Sequence, residues 1–220
     1  MAVEKIGINT LGEIPEVTGI ILEGRHLSPD EITLETLLRA REKGAITPQH
    51  FESLLIRYAN QLELDSLTGL LNRRLLKPKY DKLMSEMDAG PGDREMPPLN
   101  SVMLIVIDLD KLKEINDTEG HASGDKAIQG MADRVRENFH DTDMIFRIGG
   151  DELVILMPIY HTGDVDHEAI FRERRAKILG GFSLSMSVGY HVVKKGDKIS
   201  LKDALGFADQ DMYKSKKDRR

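Results

Sequence analysis

The stretch from Phe146 to Leu156 is apolar up to Gly149-Gly150, acidic at Asp151-Glu152, and apolar again from Leu153. Two apolar runs joined through glycines predict a β-hairpin. The acidic pair at its tip sets the problem. Two carboxylates beside a turn in a buried hairpin repel each other and resist desolvation unless a cation sits with them. Hard Mg²⁺, which prefers oxygen ligands, is the usual partner; the plain alternative is a solvated acidic turn. A second stretch favours the first reading. Val102 to Ile107 is an unbroken apolar run leading into Asp108-Leu109-Asp110. Such a run predicts a buried strand that delivers carboxylates at its C-terminal end. If it pairs beside the hairpin, Asp108 and Asp151 converge. Carboxylates at adjacent strand ends, with room for a phosphate, describe a two-metal phosphoryl-transfer site.

Five motifs in order resemble one family, the GGDEF domain of bacterial diguanylate cyclases. Asp65-Ser66-Leu67-Thr68-Gly69-Leu70-Leu71-Asn72-Arg73-Arg74 matches its opening motif. Asp108 to Asp117 resembles its D-x-D-x-F-K-x-x-N-D segment, with Leu112 for phenylalanine, and Gly120-His121 and Gly124-Asp125 follow at the family spacing. The signature loop is Gly149-Gly150-Asp151-Glu152-Leu153, again with leucine for phenylalanine. Ser187-Val188-Gly189, then Ala208-Asp209 through Tyr213, Lys216 and Arg220, match its last strand and helix. The resemblance covers roughly residues 63 to 220.

Composition narrows the remaining classes. A length of 220 residues allows one or two domains, and 40% hydrophobic residues support a real core. A net charge of −6 argues against general nucleic-acid binding, which needs a basic face. The absence of cysteine removes thiol catalysis and cysteine-ligated zinc and suits a reducing compartment. There is neither a charged-then-apolar leader nor an apolar run long enough to span a bilayer. The expectation is a cytoplasmic protein with no membrane partner, placed where GTP is available.

Along the chain, residues 1–62 are expected to form an N-terminal arm and a helical hairpin. Val17 to Leu22 is a candidate short strand, with an irregular arm as the alternative. Ser28-Pro29-Asp30-Glu31 predicts a helix start by capping box, with Ile32, Leu34, Leu37 and Leu38 as its apolar face and Gly44 as its stop. Thr47-Pro48 starts a second helix, with Phe51, Leu54, Leu55, Tyr58 and Leu62 on one side. The pair reads equally as a structural cap and as a dimerisation or regulatory element. Residues 63–220 predict a helix over Leu70–Met87, an exposed loop over Asp88–Asn100, the strand to Asp108 and a helix over His121–Phe139. The Met144–Met157 hairpin, a helix over Asp166–Leu179, a strand over Phe182–Val193 and a helix over Ser200–Lys217 follow. The fold class is α+β: a ferredoxin-like, palm-type antiparallel sheet flanked by helices. The segment between Pro158 and Ser187 is short for the family, which implies a trimmed helix or peripheral hairpin.

The resemblance implies roles. Asp108, the Leu109 carbonyl and Asp151 would hold Mg²⁺ (or Mn²⁺), two ions per GTP site. Asp151 or Glu152 would help deprotonate the attacking 3′-hydroxyl, with Asp151 favoured. Gly149 and Gly150 would let backbone approach phosphate. Asn116 and Asp125 would read guanine, whose N1–H and 2-amino donors suit a carboxylate; helix capping is their alternative. His121 would brace the loop. Lys113, Lys216 and Arg220 would hold the terminal phosphates, the last two sharing a helix face. The family's product-inhibition motif, R-x-x-D, is represented by His140-Asp141-Thr142-Asp143. Histidine lacks the arginine fork, so this degenerate inhibitory site, His140 with Asp143, should bind product weakly. The implied activity is condensation of two GTP into cyclic di-GMP across a homodimer. A degenerate domain serving as a GTP-binding or protein-interaction module is the alternative, supported by Leu112 and Leu153. A relative making mixed cyclic dinucleotides is a third reading.

Overall fold

The computed structural model of the protein describes residues 20–22, 25–27, 32–90 and 97–217. The chain divides into two compact units, Met1–Leu62 and Glu63–Arg220.

In the first unit, β1 (Ile20–Leu22) and β2 (Arg25–Leu27) pair as an antiparallel ribbon. Residues 17–19 of the expected strand lie outside the described residues, and β2 was not anticipated. Two helices follow, α1 (Leu34–Glu42) and α2 (Pro48–Glu63). The start expected at Ser28-Pro29-Asp30-Glu31 falls outside the described residues; α1 is capped by Thr33. The Thr33 hydroxyl accepts from Thr36 N at 3.2 Å and the Thr36 hydroxyl accepts from Thr33 N at 2.8 Å. This is a capping box built from two threonines, which satisfies donors the first turn leaves unpaired. Ile32, just before the cap, and Leu37, one turn into the helix, share the buried cluster with Ala40, Phe51 and Leu54. They form a staple across the helix start. The expected apolar face is corrected accordingly. Leu34 and Leu38 are 44% and 46% exposed, because they share the stripe beside the one carrying Leu37 and Ala40. Gly44, at φ +66°, ends the helix as expected.

The second unit runs β3 (Leu71–Asn72), α3 (Arg73–Ala89), β4 (Leu99–Leu109), α4 (Leu112–Glu119), α5 (His121–Arg136), β5 (Met144–Arg147), β6 (Glu152–Tyr160), α6 (His167–Leu179), β7 (Met186–Lys194) and α7 (Leu201–Lys217). Its sheet has the order β3-β5-β6-β4-β7. β4 is antiparallel to both β6 and β7, β5 is antiparallel to β6, and β3 joins β5 in parallel. The four strands β4 to β7, with helices crossing between them, make the expected ferredoxin-like α+β arrangement. A single helix, α6, links β6 to β7, consistent with the short segment there.

β4 reads as a continuous apolar run because both of its faces are covered. Met103, Ile105, Ile107 and Leu109 pack with Ala127, Ile128 and Met131 of α5 and Phe171 and Ile178 of α6. Val102, Leu104 and Val106 pack with Leu76, Tyr80 and Leu83 of α3 and Ala204 and Ala208 of α7. The period of two therefore assigns Asp108 to the α3–α7 face. Close approach of α7 depends on Gly189, where a Cβ would run into the backbone at Ala208 and Met212.

Some boundaries differ from expectation. Leu71-Asn72 is strand rather than helix, and the Asn72 side chain accepts from Arg74 N at 2.9 Å to start α3. α4 was not anticipated as a separate helix. It begins where Lys111 takes a left-handed conformation at φ +65° and reverses the chain directly after Asp110. No helix among the described residues is long and apolar enough to cross a membrane.

Candidate active site

Two separately encoded acidic motifs meet at one strand end. Asp108 on β4 is in register with Glu152 on β6 and with Ser187 on β7. The Asp151 carbonyl accepts from Leu109 N at 3.1 Å, which ties the hairpin tip to the end of β4. From α7, the Lys216 ammonium donates to Asp108 Oδ1 at 2.8 Å and lies 3.0 Å from Asp110 Oδ1. Asp110 also accepts from the Ser185 and Ser187 hydroxyls at 2.6 and 2.7 Å. Burial alone would raise the Asp110 pKa, but these donors outweigh it and hold the group below the ordinary aspartate value. Lys216 is raised, chiefly by its hydrogen bond to Asp108.

The hairpin tip has the opposite character. The Asp151 and Glu152 side chains accept no hydrogen bond from another described residue. Partial burial pushes Glu152 up, followed by the charges of Asp151, Asp108 and Asp209, with Arg73 opposing them. Asp209, on α7, is raised by burial and by Asp108. Gly149 leaves room for this arrangement, since a Cβ there would come 2.8 Å from Glu152 Oε2, whereas the same side of Gly150 is open.

The donor set suits a hard divalent ion. Among the described residues no three carboxylates or imidazoles form a complete cage. Asp108, Asp151 and the Leu109 carbonyl are all oxygen donors, and Mg²⁺ commonly completes such a set with water and substrate phosphates. The net negative field that raises Glu152 is what a divalent cation would relieve.

One bracing residue escaped the sequence analysis. Arg147 ends β5, and its guanidinium donates from Nη2 to the Gly150 carbonyl at 2.9 Å and from Nε to the Gly149 carbonyl at 3.2 Å. Its Nη1 pairs with Asp65 at 3.0 Å, the two side chains being 15% and 22% exposed. Asp65 also accepts from Thr68 N and from the Thr68 hydroxyl, at 3.0 and 2.7 Å. Burial would raise Asp65, yet these bonds lower it. The opening motif and the signature loop are thus bolted together. The available signal was a lone cation ending an apolar strand.

The expected base-reading end lies on α4 and α5. Asn116 is inside α4 and Asp125 inside α5, and neither caps its helix: the caps at Lys111 and Gly120 use no side chain. The capping alternative is corrected. Asn116 instead lies over Gly124, where any Cβ would collide with its amide. Asp125 is exposed and has no side-chain partner among the described residues. His121 and Lys113 are exposed, and among the described residues His121 makes no bracing hydrogen bond and Lys113 no ion pair. Arg220 lies outside the described residues.

At the degenerate inhibitory motif, Asp143 accepts from His140 N at 2.9 Å, closing its own turn. Burial raises Asp143, opposed by that bond and by the charge of Arg174. Arg174 donates to the Asn138 carbonyl at 2.8 Å. A separate groove of about 650 Å³ between α3 and α7, lined by Tyr80, Met84, Ile199 and Leu205, reaches the acidic cluster through Asp209. Its apolar walls do not suit a triphosphate.

A ferredoxin-like sheet carrying carboxylates on adjoining strand ends places the chain in the palm-type α+β class. Residues 62–220 match the model of the family described as "Diguanylate cyclase, GGDEF domain", and the chain belongs to that family. It is 32% identical over 157 residues to the probable diguanylate cyclase DgcJ of Escherichia coli K12, covering 70% of this chain and 29% of that protein. It is 29% identical over 158 residues to the diguanylate cyclase DgcS of Shewanella oneidensis, covering 71% of this chain and 50% of the relative. The chain thus spans half or less of these relatives' lengths. Among solved structures, a sensory box/GGDEF family protein from Caulobacter crescentus superposes with a TM-score of 0.58 at 26% identity, over 71% of this chain and 99% of that one. The coiled coil and GGDEF domain of DgcB from the same organism, solved with c-di-GMP, superposes with a TM-score of 0.65 at 21% identity, over 86% and 97% of the two chains. This last likeness concerns the fold alone.

Proposed function

We propose that the chain is a diguanylate cyclase that condenses two GTP molecules into cyclic di-GMP and two pyrophosphates. The observation that carries this reading is the register of Asp108 with Glu152, which joins two acidic motifs at one strand end while leaving the tip carboxylates without hydrogen-bond partners among the described residues. Asp108, Asp151 and the Leu109 carbonyl hold the divalent ions, Mg²⁺ or Mn²⁺ and two per GTP, which neutralise charge on the triphosphate and in the transition state. Asn116 and Asp125 bind the guanine edge. Lys113, Lys216 and Arg220 hold the terminal phosphates. Asp151, or its neighbour Glu152, accepts the proton as the 3′-hydroxyl attacks the α-phosphate of the facing GTP and pyrophosphate leaves. One chain presents one such site, so the reaction requires a second copy facing the first. The expected setting is the cytoplasm.

Leu153 is buried in the sheet core and Leu112 packs against the same cluster. Both are apolar residues in apolar surroundings, so they alter packing rather than chemistry and lend the degenerate reading no support. Asp143 is committed to its own turn and His140 supplies no fork, so product inhibition is weak. Strong inhibition of initial rates by added cyclic di-GMP at pH 8 would contradict that. The decisive assay is incubation with GTP, ATP and Mg²⁺ followed by product analysis. Cyclic di-GMP alone is expected. A mixed dinucleotide would refute the guanine assignment, and bound but unconverted GTP would refute catalysis.

A further inference from the structure

Asp108 and Asp110 share one lysine but not one environment. Asp110 is held by three side chains, Ser185, Ser187 and Lys216. The Asp108 carboxylate has Lys216 as its sole hydrogen-bond donor among the described residues. The Lys216 side chain is 38% exposed and Asp108 21%, so the bridge lies within reach of solvent and solute. An ammonium carries three donors on a flexible stem, and two of them are occupied here. A divalent ion on Asp108 and an ammonium 2.8 Å from its Oδ1 are like charges competing for one carboxylate. Asp110 gives the ammonium somewhere to stay when Asp108 is taken.

We propose that Lys216 is a positioning residue that passes Asp108 to the divalent ion: it holds the carboxylate in the empty site, yields it on metal entry while remaining on Asp110, and turns its freed donors to the triphosphate. The last step rests on the cyclase reading, whereas the exchange at Asp108 does not. Lys216 is then both competitor and helper. It lowers affinity for metal alone and raises affinity for metal together with nucleotide. A lysine that only ties α7 to β4, or one that only grips phosphate, would not produce these opposite signs.

The test uses the full chain and Mn²⁺ as the probe, with affinity read by titration calorimetry or the electron paramagnetic resonance of free Mn²⁺. Lys216→Met should bind Mn²⁺ alone roughly three- to tenfold more tightly than wild type, and should bind a non-hydrolysable GTP analogue with Mn²⁺ roughly tenfold more weakly. In the unaltered protein, acylation of the Lys216 amine by a dilute activated ester, followed by mass spectrometry, should accelerate several-fold at saturating Mn²⁺, with exposed Lys214 as internal reference. The acylation arm decides the exchange even if the variant does not fold. Unchanged or weaker Mn²⁺ binding by a natively folded Lys216→Met, unchanged Lys216 acylation, or undiminished binding of the analogue each overturns the proposal. Formation of cyclic di-GMP without the Mn²⁺ effects would sink the exchange and leave the cyclase reading standing. The Mn²⁺ effects without product would do the reverse.

Discussion

Asp65 and Asp110 on one side, and Asp151 and Glu152 on the other, are carboxylates of one unit that meet opposite fates. The first pair is more enclosed than Glu152, with side chains 22% and 15% exposed where Glu152 is exposed. Burial should raise their pKa values, yet both are lowered, because Thr68 and Arg147 donate to one and Ser185, Ser187 and Lys216 to the other. Glu152 lies at the surface of the hairpin tip and is nevertheless raised, by partial burial and by Asp151, Asp108 and Asp209. Donor supply, not depth, separates the two classes. The braced carboxylates build the frame. The unbraced ones maintain a negative field at some cost in stability, a common arrangement at functional sites.

The sharpest way to break this contrast is Asp151→Asn. It keeps shape and removes charge from an unbraced position. Turnover should fall by roughly a hundredfold or more, with the melting temperature unchanged or slightly higher. More than a tenth of wild-type turnover would remove Asp151 from its assigned role.

Asp125→Ser carries the contrast to the other end of the site. Asp125 is another carboxylate without a side-chain partner among the described residues, so its loss should spare the fold and relax guanine selection. Relative rates with GTP and ATP should converge by roughly ten- to a hundredfold. An undiminished exclusion of ATP would place base reading elsewhere.

Arg147→Ala strips the brace and should cost both properties at once: about 1–3 kcal/mol of stability and roughly tenfold in turnover, because the carbonyls of Gly149 and Gly150 lose their anchor. Arg147→Lys should recover little, since lysine lacks the fork. Asp65 is lowered in the folded chain, so its contribution is present above the ordinary value near 3.8 and disappears as pH falls through the lower folded value. Denaturation midpoints of wild type and Arg147→Ala should therefore converge in acid. A gap that stays constant from pH 7 to pH 3 would show that the ion pair contributes nothing.

The smallest expected effect is Glu152→Gln. Glu152 is raised on folding, so its charged form destabilises the fold above the ordinary glutamate value near 4.5, and the penalty vanishes below it. The variant should melt about 1–3 °C higher at pH 7 and identically near pH 4, while losing activity. A lower melting temperature at pH 7 would mean that Glu152 has a stabilising partner after all.

Much of this was legible in the chain. The unbroken apolar run of β4, the Gly-Gly punctuation of the hairpin and the order of helices and strands specify the sheet, because pleat periodicity and turn chemistry act between near neighbours. The acidic strand ends were legible for the same reason. Other features depended on which elements come to lie side by side. The start of α1 at Thr33 rests on the staple of Ile32 on Leu37. The position of Asn116 over Gly124 required α4 to turn back along α5. The hold of Arg147 on Asp65, and of Lys216 on Asp108, joins residues 82 and 108 positions apart. Local sequence determined that these charges exist and which faces they occupy. Only the packing of α7 and of the opening turn against the strand ends decided which charges are neutralised from within and which are left for a ligand, because a Coulomb interaction depends on distance in space and not along the chain.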